Sequence, residues 1–447
     1  LNRVLIANRG EIALRIIRTC QKLNLETVAI FSEADRELPF VKEADHAFSL
    51  GESHPQKSYL NIERIMQAIR DSGADAVHPG YGFLSENPAF AREIEKAGIT
   101  FIGPDPSIID LMGDKVKARL TMQAAGVPVV PGSDWALEDA HAATRLADKI
   151  GYPVMLKASA GGGGIGMQLC TSSAELEAAF QSNQKRAQTY FGRPDMFLEK
   201  AIENGRHVEV QIFGDSFGHI VHLYERDCSV QRRNQKVIEE SPSPFISETT
   251  REKITAAASA AGKHVGYTNA GTVEFIVDEA ENFYFLEMNT RLQVEHPVTE
   301  AITGDDLVEW QIDVAQGKPL SKVQTDIHAQ GHAIEYRLYA EDPVSFLPSP
   351  GKIRTLTWPN INDVRIDDGY QAGSTVTPFY DPMIAKIIIR GDDRSDVLAK
   401  SQYFFDQLTV DGIKTNAPLF KKLLSGSEFS RGHYTTHMLH DMKEESQ

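Results

Sequence analysis

The chain has 447 residues, 41% apolar and 24% charged, the balance of a soluble globular protein long enough for two or three cores. Its net charge of −16 argues against nucleic acid or an anionic membrane as the main partner, because phosphate contacts need a basic surface. No apolar run approaches the roughly 20 residues that span a bilayer, and the widely spaced Cys20, Cys170 and Cys228 argue against zinc or a disulfide framework and suit a reducing, cytoplasmic setting.

Leu1–Ala7 enters a strand pattern directly, without the character of a signal or transit peptide. Arg3–Ala7 reads as a short apolar strand, Gly10–Leu23 as a helix and Glu26–Phe31 as a strand. Asn61–Ser72 reads as a helix, Ala76–Val77 as the start of the next strand, and Glu86–Ala97 as a helix before Thr100–Ile102. This βαβα rhythm predicts a doubly wound parallel sheet. Asn8-Arg9-Gly10 is half a dinucleotide fingerprint and lacks its second and third glycines, so no nucleotide is expected there.

Gly113-Asp114-Lys115 opens a helix through Ala125, and Val127–Gly132 is a Pro-rich connector. A compact α/β unit then runs from about 133 to 203. It holds the helix Ala140–Ile150, the strand Pro153–Ala158, a glycine-rich turn Gly161–Gly166, the strand Met167–Cys170, a long helix from about Ala174 to Tyr190, and the strand Asp195–Lys200. Antiparallel strands are expected over about 204–305. A third, strand-rich unit starts at Gly331 and carries a helix around Arg394–Leu408.

Lys157 followed by Gly161–Gly166 is a strand-end lysine before a flexible loop, suited to closing backbone N–H groups over phosphate oxygens. It is not a Walker loop, since the lysine precedes the glycines and a strand follows them. The polar run Gln231–Lys236, with Glu239 and Glu240, reads by composition as a solvated loop, and Arg206-His207 as an exposed strand start. Arg337 sits on the alternating strand His332–Tyr339.

Phe283–Glu295 is the most informative stretch. Read as one half-buried strand, it has a mostly apolar even face of Tyr284, Leu286, Met288, Thr290, Leu292 and Val294. The odd face begins with Phe283 and Phe285 and continues as Glu287, Asn289, Arg291, Gln293 and Glu295. Gly271–Asp278 is a second β-rich run, and Glu279–Asn282 reads as the loop between them. In a hairpin on that four-residue loop, Asp278 faces Phe283 and Glu274 faces Glu287. Like charges directly opposite destabilise a sheet unless a cation lies between them, and hard oxygen ligands suit Mg²⁺ or Mn²⁺. Glu274, Glu287 and Asn289 are therefore a candidate metal site.

Taken together, Ile6–Ala13, His78–Asn87, Met112–Lys115, Gly161–Met167, Glu225–Arg233, Glu287–Glu300, Ala340–Pro343 with Pro348–Gly351, and Tyr380–Met383 resemble motifs of the biotin carboxylase family, whose core belongs to the ATP-grasp superfamily. They occur in family order over nearly the whole chain. The resemblance implies an α/β protein, α+β at its centre: a doubly wound parallel sheet over 1–114, an ATP-grasp domain over 115–330 with a glycine-loop lid over 133–203, and a strand-rich C-terminal domain over 331–447. It implies that ATP phosphorylates bicarbonate to carboxyphosphate, which breaks down to CO₂ and phosphate, and that a biotin nitrogen is carboxylated.

By matching position, Lys115, Lys157, Glu199, Lys200, Ile202, His207 and Gln231 would surround ATP, with Gly161, Gly162, Gly163, Gly164 and Gly166 over its phosphates. Glu274, Glu287 and Asn289 would hold two Mg²⁺ or Mn²⁺ ions. Lys236, Arg291, Gln293 and the Val294 backbone would hold bicarbonate. Glu295 would be its general base, and Arg337 would stabilise the biotin anion. Two positions depart from the family: Asn234 where it usually has His, and Ile165 where a basic residue is common. Asn234 can still donate a hydrogen bond to a ribose or phosphate but carries no charge, so altered nucleotide affinity is expected. No Met-Lys-Met biotin-attachment sequence is present, which implies a biotin carboxyl carrier protein and a carboxyltransferase in trans, with acetyl-CoA the expected final acceptor; the family suggests a homodimer.

Overall fold

The computed structural model describes residues 1–159 and 166–444, so Gly161–Gly164 and Ile165 lie outside the described residues. The first unit is built from β1 (Arg3–Ile6), α1 (Gly10–Lys22), β2 (Glu26–Ser32), α2 (Pro39–Glu43), β3 (His46–Gly51), α3 (Ile62–Ser72), β4 (Ala76–His78), α4 (Pro88–Lys96), β5 (Thr100–Phe101) and α5 (Pro106–Gly113). Its sheet is parallel in the order β3-β2-β1-β4-β5. Asn61 and Asn87 cap α3 and α4 by accepting from the backbone N–H groups of Arg64 and Phe90. β3 escaped the apolar pattern because it is an edge strand in which only Leu50 is buried. The Asn8-Arg9-Gly10 turn is occupied structurally: the Asn8 amide donates to the carbonyls of Pro79 and Tyr81, and Arg9 pairs with Asp35.

α6 (Lys115–Ala124), capped by Asp114, leads into a small unit of α7 (Ala140–Ile150), β6 (Val154–Ala158), β7 (Met167–Cys170), α8 (Ser173–Phe191) and β8 (Met196–Lys200). Its sheet has the order β7-β6-β8. Leu156, Phe180 and Leu198 belong to a buried cluster of its own.

The rest of the chain supplies β9 (Arg206–Gly214), β10 (Ile220–Arg232), β11 (Gln235–Ser241), α9 (Glu248–Val265), β12 (Asn269–Val277), β13 (Phe283–Asn289), α10 (His296–Thr303), α11 (Leu307–Ala315) and β14 (His332–Tyr339). Then come β15 (Gly351–Lys352), β16 (Thr355–Thr357), β17 (Val364–Asp368), β18 (Thr375–Val376), β19 (Met383–Gly391), α12 (Arg394–Gln407) and β20 (Thr409–Asp411). One antiparallel sheet of eight strands, β13-β12-β9-β10-β11-β14-β19-β17, runs without interruption across position 330. The run Gln231–Lys236 is not a solvated loop. It is the closing end of the β10–β11 hairpin, with Gln231 opposite Lys236 and only the turn residues Arg233 and Asn234 exposed. Arg206 and His207 are likewise buried, because β9 lies inside the sheet.

The hairpin register differs from the sequence expectation in an instructive way. Val277, not Asp278, faces Phe283, so the loop has five residues. Asp278 drops out because its carboxylate accepts from the backbone N–H groups of Ala280 and Asn282, an Asx turn. Pairing runs Val277–Phe283, Ile276–Tyr284 and Phe275–Phe285, then shifts to Glu274–Glu287, Val273–Met288 and Thr272–Asn289. Leu286 is the extra residue of a β-bulge. The bulge restores the expected Glu274–Glu287 pair and exchanges the faces. Phe283 and Phe285 therefore pack on the α9 side with Val273, Phe275 and Met288, opposite Glu287 and Asn289. The strand also stops at Asn289, so Arg291–Glu295 form a loop into α10.

Phe275 is fully buried between the sheet and α9. Phe275→Ala is expected to lower the chemical-denaturation midpoint by the equivalent of about 3–5 kcal/mol, transfer and cavity costs combined; a shift within error would show that this face is not the core.

Candidate active site

β9 alternates between two environments. Val208, Val210 and Ile212 face the core, while His207, Glu209 and Gln211 are buried on the opposite face. Register carries that polar face across four strands: Glu287 on β13 pairs with Glu274 on β12, Glu274 with Glu209 on β9, and Glu209 with Arg226 on β10. Three carboxylates thus stand side by side.

Cations hold this row together. The Lys236 ammonium, from β11, donates to Glu209 (2.6 Å), Glu274 (2.8 Å) and Glu295 (2.7 Å). Burial alone would lower the Lys236 pKa, but the three carboxylates raise it well above the ordinary lysine value. His207 lies 3.4 Å from Glu209 and 3.3 Å from Glu274. Burial opposes its charge, yet Glu274 and the carboxylate hydrogen bonds hold its pKa at about 9. Glu287 keeps solvent contact, yet the protein packed around it and the Glu274 charge raise its pKa.

The loop after β13 is tied at each step. Arg291 donates to Glu86 (2.8 Å) and to the side-chain amide oxygen Oδ1 of Asn289 (2.8 Å). The Asn289 and Gln293 amides donate to Glu274 at 2.9 and 2.7 Å. The Val294 carbonyl accepts from the fully buried Lys386 on β19 (2.8 Å). Glu295, at the N-cap position of α10, is held on one oxygen by Lys236 and on the other by Arg337 of β14 (2.9 Å). Arg337 is itself gripped by Glu239. Burial pushes the Glu295 pKa up, but Lys236 and Arg337 overcome it and keep the carboxylate ionised.

The structure thus gathers Lys236, His207, Glu274, Glu287, Asn289, Arg291, Gln293, Val294, Glu295 and Arg337 about one face. Lys115 feels the charges of Glu287, Lys157 and Glu199, with burial as the main cause of its lowered pKa. Lys157 forms an ion pair with Glu199 across β6 and β8. Other expected nucleotide residues are differently engaged. The Lys200 ammonium donates to the carbonyls of Gly151 and Tyr152. Gln231 donates to the Cys228 carbonyl (2.8 Å), Ile202 is half-buried just past β8, and Asn234 is an exposed turn residue with φ +63°. Gly166, φ +78°, is the described end of the glycine loop. Sequence reasoning missed Glu209, Arg226, Glu239 and Lys386. For Glu209 the signal was present: a carboxylate alternating with valines inside a strand.

The donor set at Glu274, Glu287 and Asn289 consists of hard oxygens, and the Glu274–Glu287 repulsion is one that a divalent cation would relieve, so these residues fit Mg²⁺ or Mn²⁺.

Three family profiles match in succession: biotin carboxylase, N-terminal domain (residues 1–109), carbamoyl-phosphate synthase L chain, ATP binding domain (114–323), and biotin carboxylase C-terminal domain (335–441). The biotin carboxylase of Halalkalibacterium halodurans is 57% identical over 434 residues, covering 97% of this chain and 96% of that one. The chain belongs to the biotin carboxylase family. It is an ATP-dependent ligase of the ATP-grasp class that carboxylates biotin. A pyruvate carboxylase subunit of Methanothermobacter thermautotrophicus is 47% identical, covering 99% of this chain and 90% of that one. Among solved structures, the biotin carboxylase domain dimer of the Hydrogenobacter thermophilus 2-oxoglutarate carboxylase, in complex with MgADP, ADP and bicarbonate, superposes with a TM-score of 0.95 at 46% identity, covering 98% of this chain and 97% of that one. No described helix is long and apolar enough to cross a membrane.

With a folded pKa of about 9 against 6.5 for free histidine, the His207 imidazolium contributes stability that is complete below about pH 6.5 and is lost as pH rises through about 9. A ¹⁵N NMR titration is expected to show His207 still protonated at pH 8, and Glu274→Gln is expected to remove most of the upward shift. A wild-type imidazole already neutral at pH 7 would contradict this electrostatic picture.

Proposed function

We propose that this biotin carboxylase activates bicarbonate with ATP and transfers the carboxyl group to biotin on a separate carrier protein. The observation that carries this reading is Glu295, an ionised buried carboxylate clamped between Lys236 and Arg337 beside the Arg291–Val294 loop. Bicarbonate is a poor nucleophile until it loses its proton. Glu295 takes that proton, but the two cations that keep Glu295 ionised also weaken it as a base. Lys236, Arg291, Gln293 and the Val294 N–H offset this by binding the more negative, deprotonated substrate. The anion then attacks the γ-phosphorus of ATP, ADP departs, and carboxyphosphate forms. Carboxyphosphate breaks down to CO₂ and phosphate, the released phosphate takes the ureido N–H proton while Arg337 stabilises negative charge on the ureido oxygen, and the ureido nitrogen captures the CO₂.

On the nucleotide side, Lys115, Lys157, Glu199, Lys200, Ile202, His207 and Gln231 would surround ATP, and Gly161–Gly164 and Gly166 would close over its phosphates. Glu274, Glu287 and Asn289 would hold two Mg²⁺ or Mn²⁺ ions, which neutralise charge during phosphoryl transfer. The working divisions are 1–114, 115–330 with the lid 133–203, and 331–447. For the whole system we propose a cytoplasmic homodimer serving a carrier protein and an acetyl-CoA carboxyltransferase of fatty acid synthesis. Full-length similarity to both biotin carboxylases and a pyruvate carboxylase subunit supports the first half-reaction more strongly than that acceptor.

Phosphate release from ATP with Mg²⁺ is expected to require bicarbonate and to rise when free biotin is added; bicarbonate-independent hydrolysis unaffected by biotin would overturn the reading. Glu295→Gln is expected to lower kcat by about 10²–10⁴-fold, and Arg337→Ala by about 10²–10³-fold in biotin carboxylation. Asn234→His, which restores the family residue, is expected to lower the KM for ATP; identical KM and turnover would remove Asn234 from the nucleotide site.

A further inference from the structure

Arg226 has no role in the chemistry above, yet its guanidinium is fully buried and committed on every side. Nε donates to Glu209 (2.6 Å), Nη1 to Gln211 (2.8 Å) and Thr299 (3.0 Å), and Nη2 to Gln293 Oε1 (2.6 Å) and Thr272 (3.2 Å). These partners come from β9, β12, the loop after β13, and α10. A guanidinium used only to neutralise Glu209 would not need four neutral acceptors.

The consequence falls on Gln293. A glutamine amide has one end that only accepts and one that only donates, and a pocket can present either. Here the neighbours decide. Arg226 can only donate, so the Gln293 oxygen must face it. The Glu274 oxygen that already accepts from the Lys236 ammonium can only accept again, so the Gln293 nitrogen must face it (2.7 Å). This orientation follows from the chemistry of the partners and not from the electron count of the amide. The nitrogen carries a second N–H that has no partner among the described residues. With the amide reversed, a carbonyl oxygen would stand where an anion must bind, and would repel it.

We propose that Arg226 is a positioning residue that sets the polarity of the anion pocket: by taking the Gln293 carbonyl oxygen it turns the free amide N–H toward bicarbonate. The proposal rests on the reading of Lys236 and Arg291–Val294 as the bicarbonate site. The same guanidinium holds one oxygen of Glu209 and leaves the other for Lys236 (2.6 Å); Arg226→Lys keeps a cation beside Glu209, so the change falls on Gln293.

The test is steady-state kinetics of the full chain with ATP and bicarbonate varied separately, for Arg226→Lys, Gln293→Ala and the double variant. Arg226→Lys keeps the charge and loses the fork. It is expected to raise the KM for bicarbonate about 10- to 100-fold, the scale of one hydrogen bond to a charged group, with the KM for ATP within about 2-fold. The double variant is expected to be no worse than Gln293→Ala alone, because both changes remove the same oriented N–H. An unchanged bicarbonate KM in Arg226→Lys, or effects that multiply in the double variant, overturns the positioning role while leaving the bicarbonate site standing. An unchanged bicarbonate KM in Gln293→Ala removes Gln293 from that site, and the proposal falls with it. Should Arg226→Lys fail to fold, Thr299→Val removes only a neutral anchor of the guanidinium. A rise in bicarbonate KM of about 2- to 5-fold supports the proposal, and no rise overturns it.

Discussion

Strand register forces Glu287, Glu274 and Glu209 into one row, and the rest of the site is the answer to that repulsion. Each is brought next to its neighbour by backbone pairing, which no side-chain rotation can undo. Two cations restore balance from the far side, Lys236 reaching over from β11 and Arg226 completing the row on β10. At the open end, burial and the Glu274 charge raise the pKa of Glu287, a repulsion that a bound cation would relieve. A site built this way attracts cations at one end and anions at the other within the width of four strands. That polarity suits the proposed reaction between a metal-bound nucleotide and bicarbonate.

The second layer of the site depends on the same economy of donors. Glu295 is shared between Lys236 and Arg337, and Arg337 between Glu295 and Glu239. None of these groups could be buried alone, since an unpaired charge in the interior costs several kcal/mol. Together they leave each charged side chain with one geometry. The pairings are in place without any bound molecule, so on the proposed reading the chemistry calls for little rearrangement of these groups.

Much of the parallel sheet was legible from apolar alternation, because each strand there is bounded by turn residues and followed by an amphipathic helix. The Glu274–Glu287 pair was legible too, although the reasoning behind it was incomplete. The Asx turn at Asp278 and the bulge at Leu286 each shift register by one and cancel. Periodicity cannot see either, since both arise from local backbone hydrogen bonding. Arg226 was hidden for a different reason: in Glu225–Arg233 charged residues are dense, and density alone suggests solvent, whereas burial came from strands far away in sequence. Lys386 left a better trace, as one cation inside the apolar run Met383–Ile389.

The eight-stranded sheet has a further consequence. Glu274 and Glu287 lie near one edge, Arg337 and Lys386 toward the other, and the backbone between them is hydrogen-bonded without a gap from β13 to β17. The seam at position 330 falls between β11 and β14, which pair directly. Two polypeptides divided there would each present a complementary unpaired edge. A cut there would break the pairing of β11 with β14 and part Glu295 from Arg337, so the continuity of this one sheet is what keeps the two ends of the polar face in register.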